Sequence, residues 1–313
     1  MTLCVSLLVG LSWLLVSPER VLAWGPGTHV ALGEGLLSAL HLIPPGIAAL
    51  IHRYPIHFLY GSVAADISFA KKYVPEGRHC HAWPVGEEIL ATAPTEPLQA
   101  TGYGYLCHLA ADTIAHNFFV PRKLLRTSTT KALGHTYWEM RMDAHVGEEF
   151  VARARRVVVD YDHREADQLF DEILSHTLFS FQTNRRIFRG MLRFHGNDHW
   201  NRVFEQVLKN SRFDLPDELI ETYMALSFDY VVDYLNRRDA STAAALDPTG
   251  EVPLRLAKKL RRVALAQPTE GPPSREQDVE QAAAEFFPLP DRIGDHWEGS
   301  PEDSAKSHPN LPA

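Results

Sequence analysis

Apolar residues recur at spacings of three and four through most of the chain, with no sustained alternation and no Asn-Gly hairpin turn. That pattern predicts an all-α fold. The stripes mark helices over His29–Leu40, Gly46–His52, Pro84–Thr92, Leu98–Phe119, His135–Asp160, His163–Phe181, Thr183–Phe194, Asn201–Leu208, Asp217–Asn236 and Pro253–Leu265. Pro44-Pro45, Pro55, Pro75, Gly77, Pro121 and Gly196-Asn197-Asp198 punctuate them as breakers. At the front, Leu3 to Val16 is an almost unbroken apolar run, shorter than the roughly 20 residues a membrane-spanning helix needs. Pro18, Val21 and Ala23 follow it in the pattern of a signal-peptide cleavage site, so 1–23 is expected to be a signal peptide. The run has no preceding Lys or Arg, and an uncleaved anchor is the other reading. From Gln267 the stripes stop, apart from Ala282 to Phe287. The expected organisation is a leader, one helical body over 24–266, and an acidic, Pro-rich, disordered tail over 267–313.

Composition sharpens this. A hydrophobic share of 45% with 22% charged residues suits a globular body with a substantial core. The formal charge of -8 argues against a stable nucleic-acid partner, and the tail, with ten acidic residues against Arg275, Arg292 and Lys306, accounts for most of it. Sixteen His against three Cys favour imidazole and carboxylate chemistry over thiolate chemistry. The leader points to a secreted or periplasmic protein, in which Cys80 and Cys107 are either joined or two inert buried thiols.

The strongest chemical signal is His108-x-x-x-Asp112-x-x-x-His116, a row that keeps to one stripe of a helix about 80° wide. Its ends lie about 12 Å apart along an ideal helix, too far for one ion to bind both imidazoles, so Asp112 is expected to bridge at least two metals. His135 and Glu139 pair an imidazole and a carboxylate at i and i+4 on a second helix. Asp66 ends an apolar run, and His79-Cys80-His81 places two imidazoles two residues apart, either of which is a candidate ligand. Trp24-Gly25-Pro26-Gly27-Thr28-His29 sets a His five residues after the expected cleavage point, where a freshly exposed α-amino group, with a pKa near 7.7 to 8.0, can act as a neutral nitrogen ligand.

In this order, from Trp24 to Glu139, the motifs resemble the zinc-dependent phospholipase C family, whose fold is shared with the P1/S1 nucleases. The resemblance implies an all-helical domain with up to three zinc ions that hydrolyses phosphate esters through metal-hydroxide attack on phosphorus. It implies one ion held by Asp66, His81 (or His79), His108 and Asp112. A second would be held by the Trp24 amino and carbonyl groups with His29, sharing Asp112, and a third by His116, His135 and Glu139. Asp66 is the candidate for orienting or deprotonating the attacking water. The gap of eight residues between His108 and His116 is shorter than in the secreted bacillary phospholipases, and resembles the branch containing the amino-terminal domain of GPI-specific phospholipase D. The implied partner is a phospholipid or other phosphodiester, met in transient contact with a membrane surface. A nuclease and a non-catalytic zinc-stabilised binding protein are the competing readings.

Overall fold

The computed structural model describes residues 24–68, 77–126, 132–174, 180–195, 215–266 and 272–297. In chain order the helices are α1 (Pro26–Ser38), α2 (Pro45–Arg53), α3 (Pro55–Ala64), α4 (Trp83–Thr92) and α5 (Glu96–Ile114). A π-helical turn (Ala115–Phe119) leads into α6 (Val120–Arg126), and α7 (Ala132–Val146), α8 (Glu148–Asp160), α9 (Arg164–Ile173) and α10 (Phe181–His195) follow. After them come α11 (Asp217–Arg237), α12 (Glu251–Ala266) and α13 (Pro272–Phe286). There is no strand among the described residues, as the apolar periodicity predicts.

Several boundaries differ from that reading, each for a local reason. Of the prolines read as breakers, Pro45 and Pro55 start helices, and like Pro26, Pro84 and Pro97 they sit in first turns, where a missing N–H leaves no bond unmade. The span His135–Asp160 is two helices, because Gly147 adopts φ 126° between them. The segment Asn201–Leu208 lies outside the described residues. Beyond α5 the helix does not run on regularly to Phe119; it widens into the π turn just before Pro121, whose ring has no N–H to return to Asn117.

The expected disordered tail is corrected over residues 272–297. There α13 forms and the chain beyond it lies against the body, with Ala283 and Phe287 buried. Arg122 donates to the carbonyls of Ala283 (3.4 Å) and Phe287 (2.9 Å), Arg292 pairs with the buried Asp229, and Trp297 Nε1 donates to Glu221 at 3.0 Å. This segment is held largely by charge pairs and by Arg122 donors, so apolar periodicity carried little sign of it.

Helix α5 runs through the middle of the molecule, buried on nearly all sides, with α3 laid directly along it. The approach depends on two glycines. A Cβ at Gly61 would fall 2.0 Å from the Thr101 carbonyl oxygen, and one at Gly104 would fall 2.0 Å from that of Phe58. Backbone touches backbone here, and this brings the Ser62 carbonyl onto α5. At one end of α5, Trp24, Phe119 and Tyr223 form an aromatic cluster, with centroids 4.8 Å and 4.9 Å from the Phe119 ring. On the far side of α3, His163 stacks on Tyr60 at 3.7 Å and donates through Nε2 to the Val157 carbonyl at 2.8 Å. Tyr60 in turn donates to Asp167, which Arg185 also reaches.

Gly104→Ala is expected to cost about 3 kcal/mol in chemical denaturation, because a backbone carbonyl cannot move aside as a side chain can. Gly190→Ala, with nothing within 4 Å of the new methyl, should instead gain up to about 1 kcal/mol. Burial lowers the His163 pKa from 6.5 to about 4. Below pH 6.5 the unfolded chain therefore binds a proton that the folded chain refuses, so about 3 kcal/mol of stability should be lost between pH 7 and pH 4. Denaturation curves of His163→Gln across that range should lack this part of the slope.

Candidate metal centre

One-turn spacing on α5 points His108 and Asp112 the same way, and three other elements converge on them. His29 comes from α1, Asp66 from the short 3-10 turn Ala65–Ile67 after α3, and His81 from the segment leading into α4. All five residues are at most 2% exposed. His81 Nε2 lies 3.3 Å from Asp66 Oδ1, 3.1 Å from Asp112 Oδ2 and 3.1 Å from His108 Nε2. His108 Nε2 is 3.2 Å from Asp112 Oδ2 and 3.9 Å from Asp66 Oδ1. Four donors around zinc at about 2.05 Å would stand about 3.3 Å from one another, the edge of a tetrahedron of that radius. These separations match that edge except for the longer one between His108 and Asp66.

Protonation supports the same reading. His108 donates through Nδ1 to the Ser62 carbonyl at 2.8 Å, and His116 donates through Nδ1 to the carbonyl of Pro248. In a neutral ring that leaves Nε2 as a lone pair, so both rings are fixed in the tautomer a metal requires. Both oxygens of Asp112 are buried without a hydrogen-bond partner, as is Nε2 of His29, which stands 3.4 Å from Asp112 Oδ1. A buried carboxylate in this state needs cationic compensation. Asp112 presents Oδ2 to His81 and His108 and Oδ1 to His29, the arrangement of a bridging carboxylate. Burial alone would raise its pKa; the positive charge and N–H donation that His108, and then His29 and His81, offer when protonated hold it well below the usual carboxylate range, a compensation that a cation would take over. Burial lowers the pKa of His29, and His108, stacked on it at 3.9 Å, lowers it further. The residues therefore fit zinc in donor type, spacing and unsatisfied charge.

Of the paired candidates His79 and His81, it is His81 that reaches the carboxylates. His79 stands behind it, its Nδ1 accepting the His81 amide at 3.1 Å, and it groups instead with Cys80 and His81. His116 is fully buried on the π turn, its ring 6.1 Å from that of His81. The Trp24 indole donates to the carbonyl of Ala111, next to Asp112, at 3.2 Å, so the start of the body is tied to the cluster. The side chains of His135 and Glu139 lie outside the described residues, although the backbone of α7 that carries them is described. Cys80 and Cys107 are buried and not joined in a disulfide, and the Cys80 Sγ lies 3.3 Å from His81 Nδ1.

Three contributors were not foreseen. The Ser62 and Pro248 carbonyls leave no trace in a one-dimensional pattern, since Pro248 is 132 residues from its partner. Asp143 did leave one: it continues the row His135, Glu139, Asp143 at steps of four. Its carboxylate accepts from the amides of Gly27 (3.1 Å) and Thr28 (2.8 Å) and from the Thr28 hydroxyl (2.7 Å), and so secures the first turn of α1 beneath His29. Burial pushes this carboxyl up to about 6 against the pull of those donors.

An all-helical body closed around buried imidazoles and carboxylates at ligand spacing has the donor set of a zinc site. The family model of zinc dependent phospholipase C matches residues 28–187, and the chain belongs to that family. The match takes in every candidate ligand except Trp24 and ends well before Pro248. No curated protein and no solved structure matches the chain.

Asp112→Ala is expected to remove at least one zinc per chain, measured by elemental analysis of the purified protein. Full retention would contradict the bridging role.

Proposed function

We propose that this protein is a zinc-dependent phosphodiesterase that hydrolyses the head-group esters of phospholipids. The observation that carries this reading is Asp112, a buried carboxylate turned toward imidazoles on two sides with no hydrogen bond on either oxygen. Asp66, His81, His108 and Asp112 would hold one ion. His29 and the other oxygen of Asp112 would hold a second, joined by the amino and carbonyl groups of Trp24 once the chain is cut after Ala23 on export. His116 with His135 and Glu139 would hold a third. Bound there, zinc would lower the pKa of a coordinated water toward 7 and offset the charge that grows on the phosphoryl and leaving oxygens.

The chain's own groups supply the rest. The carbonyls of Ser62 and Pro248 keep the His108 and His116 rings from turning, so their Nε2 atoms stay aimed inward. Asp66, on a tight turn and 1% exposed, would orient the attacking water or take its proton. The surrounding core would keep bulk water from a bound phosphate ester and so strengthen each charge interaction there.

The test compares substrates on the zinc-loaded mature protein. Release of phosphocholine from phosphatidylcholine, abolished by Asp66→Asn and by a chelator, is the expected result. Release of nucleotides from single-stranded nucleic acid instead would make it a nuclease, and three bound zinc ions with no turnover of any phosphodiester would make it a binding protein. Mass spectrometry of the exported chain should find Trp24 at the amino terminus.

A further inference from the structure

Helix α12 begins against the metal centre and ends away from it. Just before it, the Pro248 carbonyl holds His116, the Asp247 carbonyl accepts from Asn117 at 2.9 Å, and Gly250 lies so close that a Cβ would stand 2.4 Å from His116 Cβ. With φ +57°, Gly250 is also in the left-handed region that favours glycine. The first turn of α12 is therefore tied to a candidate zinc ligand, outside the part of the chain that the family model matches.

The two sides of the helix differ sharply. Leu254 and Ala257 are buried, and Leu256 and Leu260 pack against the core. Around the helix, Glu251, Arg262, Arg255, Lys259, Val252 and Val263 fall within one arc of about 120°, and all six are exposed. Val252, 71% exposed, and Val263, 50% exposed, are the most open large apolar side chains among the described residues. They stand about 16 Å apart along the helix, with the three cations between them. Glu251 is the only acid on the arc, and it pairs with Arg255. On α13, Glu280 is engaged by Arg122 and Arg126 of α6. Two open valines flanking three cations suit a face that settles into the head-group layer of an anionic bilayer, where both kinds of side chain find a partner. No described helix is long and apolar enough to cross a membrane, so such contact would be peripheral.

We infer that the outer arc of α12, Arg255, Lys259 and Arg262 flanked by Val252 and Val263, docks on an anionic lipid surface and seats the His116 side of the metal centre against it. A nucleic acid would satisfy the cations but leave the valines without a partner. The inference deepens the phospholipid reading and rests on it for its purpose, but docking is measurable without turnover.

The experiment sediments the zinc-loaded mature protein, on ice and within minutes, with phosphatidylcholine vesicles containing about one-third phosphatidylserine and with pure phosphatidylcholine vesicles. Each cation near such a surface contributes roughly fivefold in affinity. The triple variant Arg255→Gln, Lys259→Gln, Arg262→Gln should therefore bind anionic vesicles roughly 100-fold more weakly, while hydrolysing a soluble phosphodiester as the parent does. Val252→Ser with Val263→Ser should also weaken vesicle binding. Equal affinity of the parent for both vesicle types, or unchanged binding by either variant, would overturn the inference. So would a single-stranded oligonucleotide that binds through the three cations when anionic vesicles do not. If the parent docks but hydrolyses nothing, the docking surface stands and the phosphodiesterase reading falls.

Discussion

A carboxylate buried with no hydrogen-bond donor on either oxygen must be balanced by positive charge, and Asp112 is in that state at the centre of the helical body. Much of the surrounding structure follows from meeting that requirement. Imidazoles approach from α1, from the segment before α4 and from α5 itself, and backbone carbonyls fix two of the inward-facing rings so that lone pairs rather than protons face the centre. Without a cation the cluster would be a costly defect in a core; bound zinc would turn that cost into folding free energy.

The packing of the body serves the same point. Gly61 and Gly104 let α3 lie backbone to backbone on α5, and this contact delivers the Ser62 carbonyl to His108 and sets Asp66 at the end of α3 within reach of His81. Asp143 on α7 holds the first turn of α1, and with it His29. The π turn gives the chain a way past Pro121 while it keeps His116 buried under Pro248 and Phe119 in the aromatic cluster. The polar segment after α13 clasps α6 and α11 through Arg122 and Arg292.

Much of the site was legible because its parts lie close together in sequence. His108 and Asp112 share a helical stripe, and a spacing of four residues means the same thing in any helix. Asp66 and the pair His79 and His81 could be named as candidates, yet choosing between the two imidazoles needed the loop's actual path. The π turn leaves no mark in an apolar period that fits an ideal helix up to Phe119. Fixing the tautomers was beyond the sequence, because any residue supplies a carbonyl and only the fold decides which one arrives.

The sequence by itself determined the all-α class, the one-turn pairing of His108 with Asp112, and the excess of imidazole over thiol, because residue type and helical period are local properties. Tertiary structure alone decided that His29, Asp66 and His81 meet that row at ligand distance, that Ser62 and Pro248 orient the rings, and that the acidic segment folds back as α13. Each of those depends on contacts between residues far apart in the chain, and their positions are set by how whole helices pack rather than by the residues beside them.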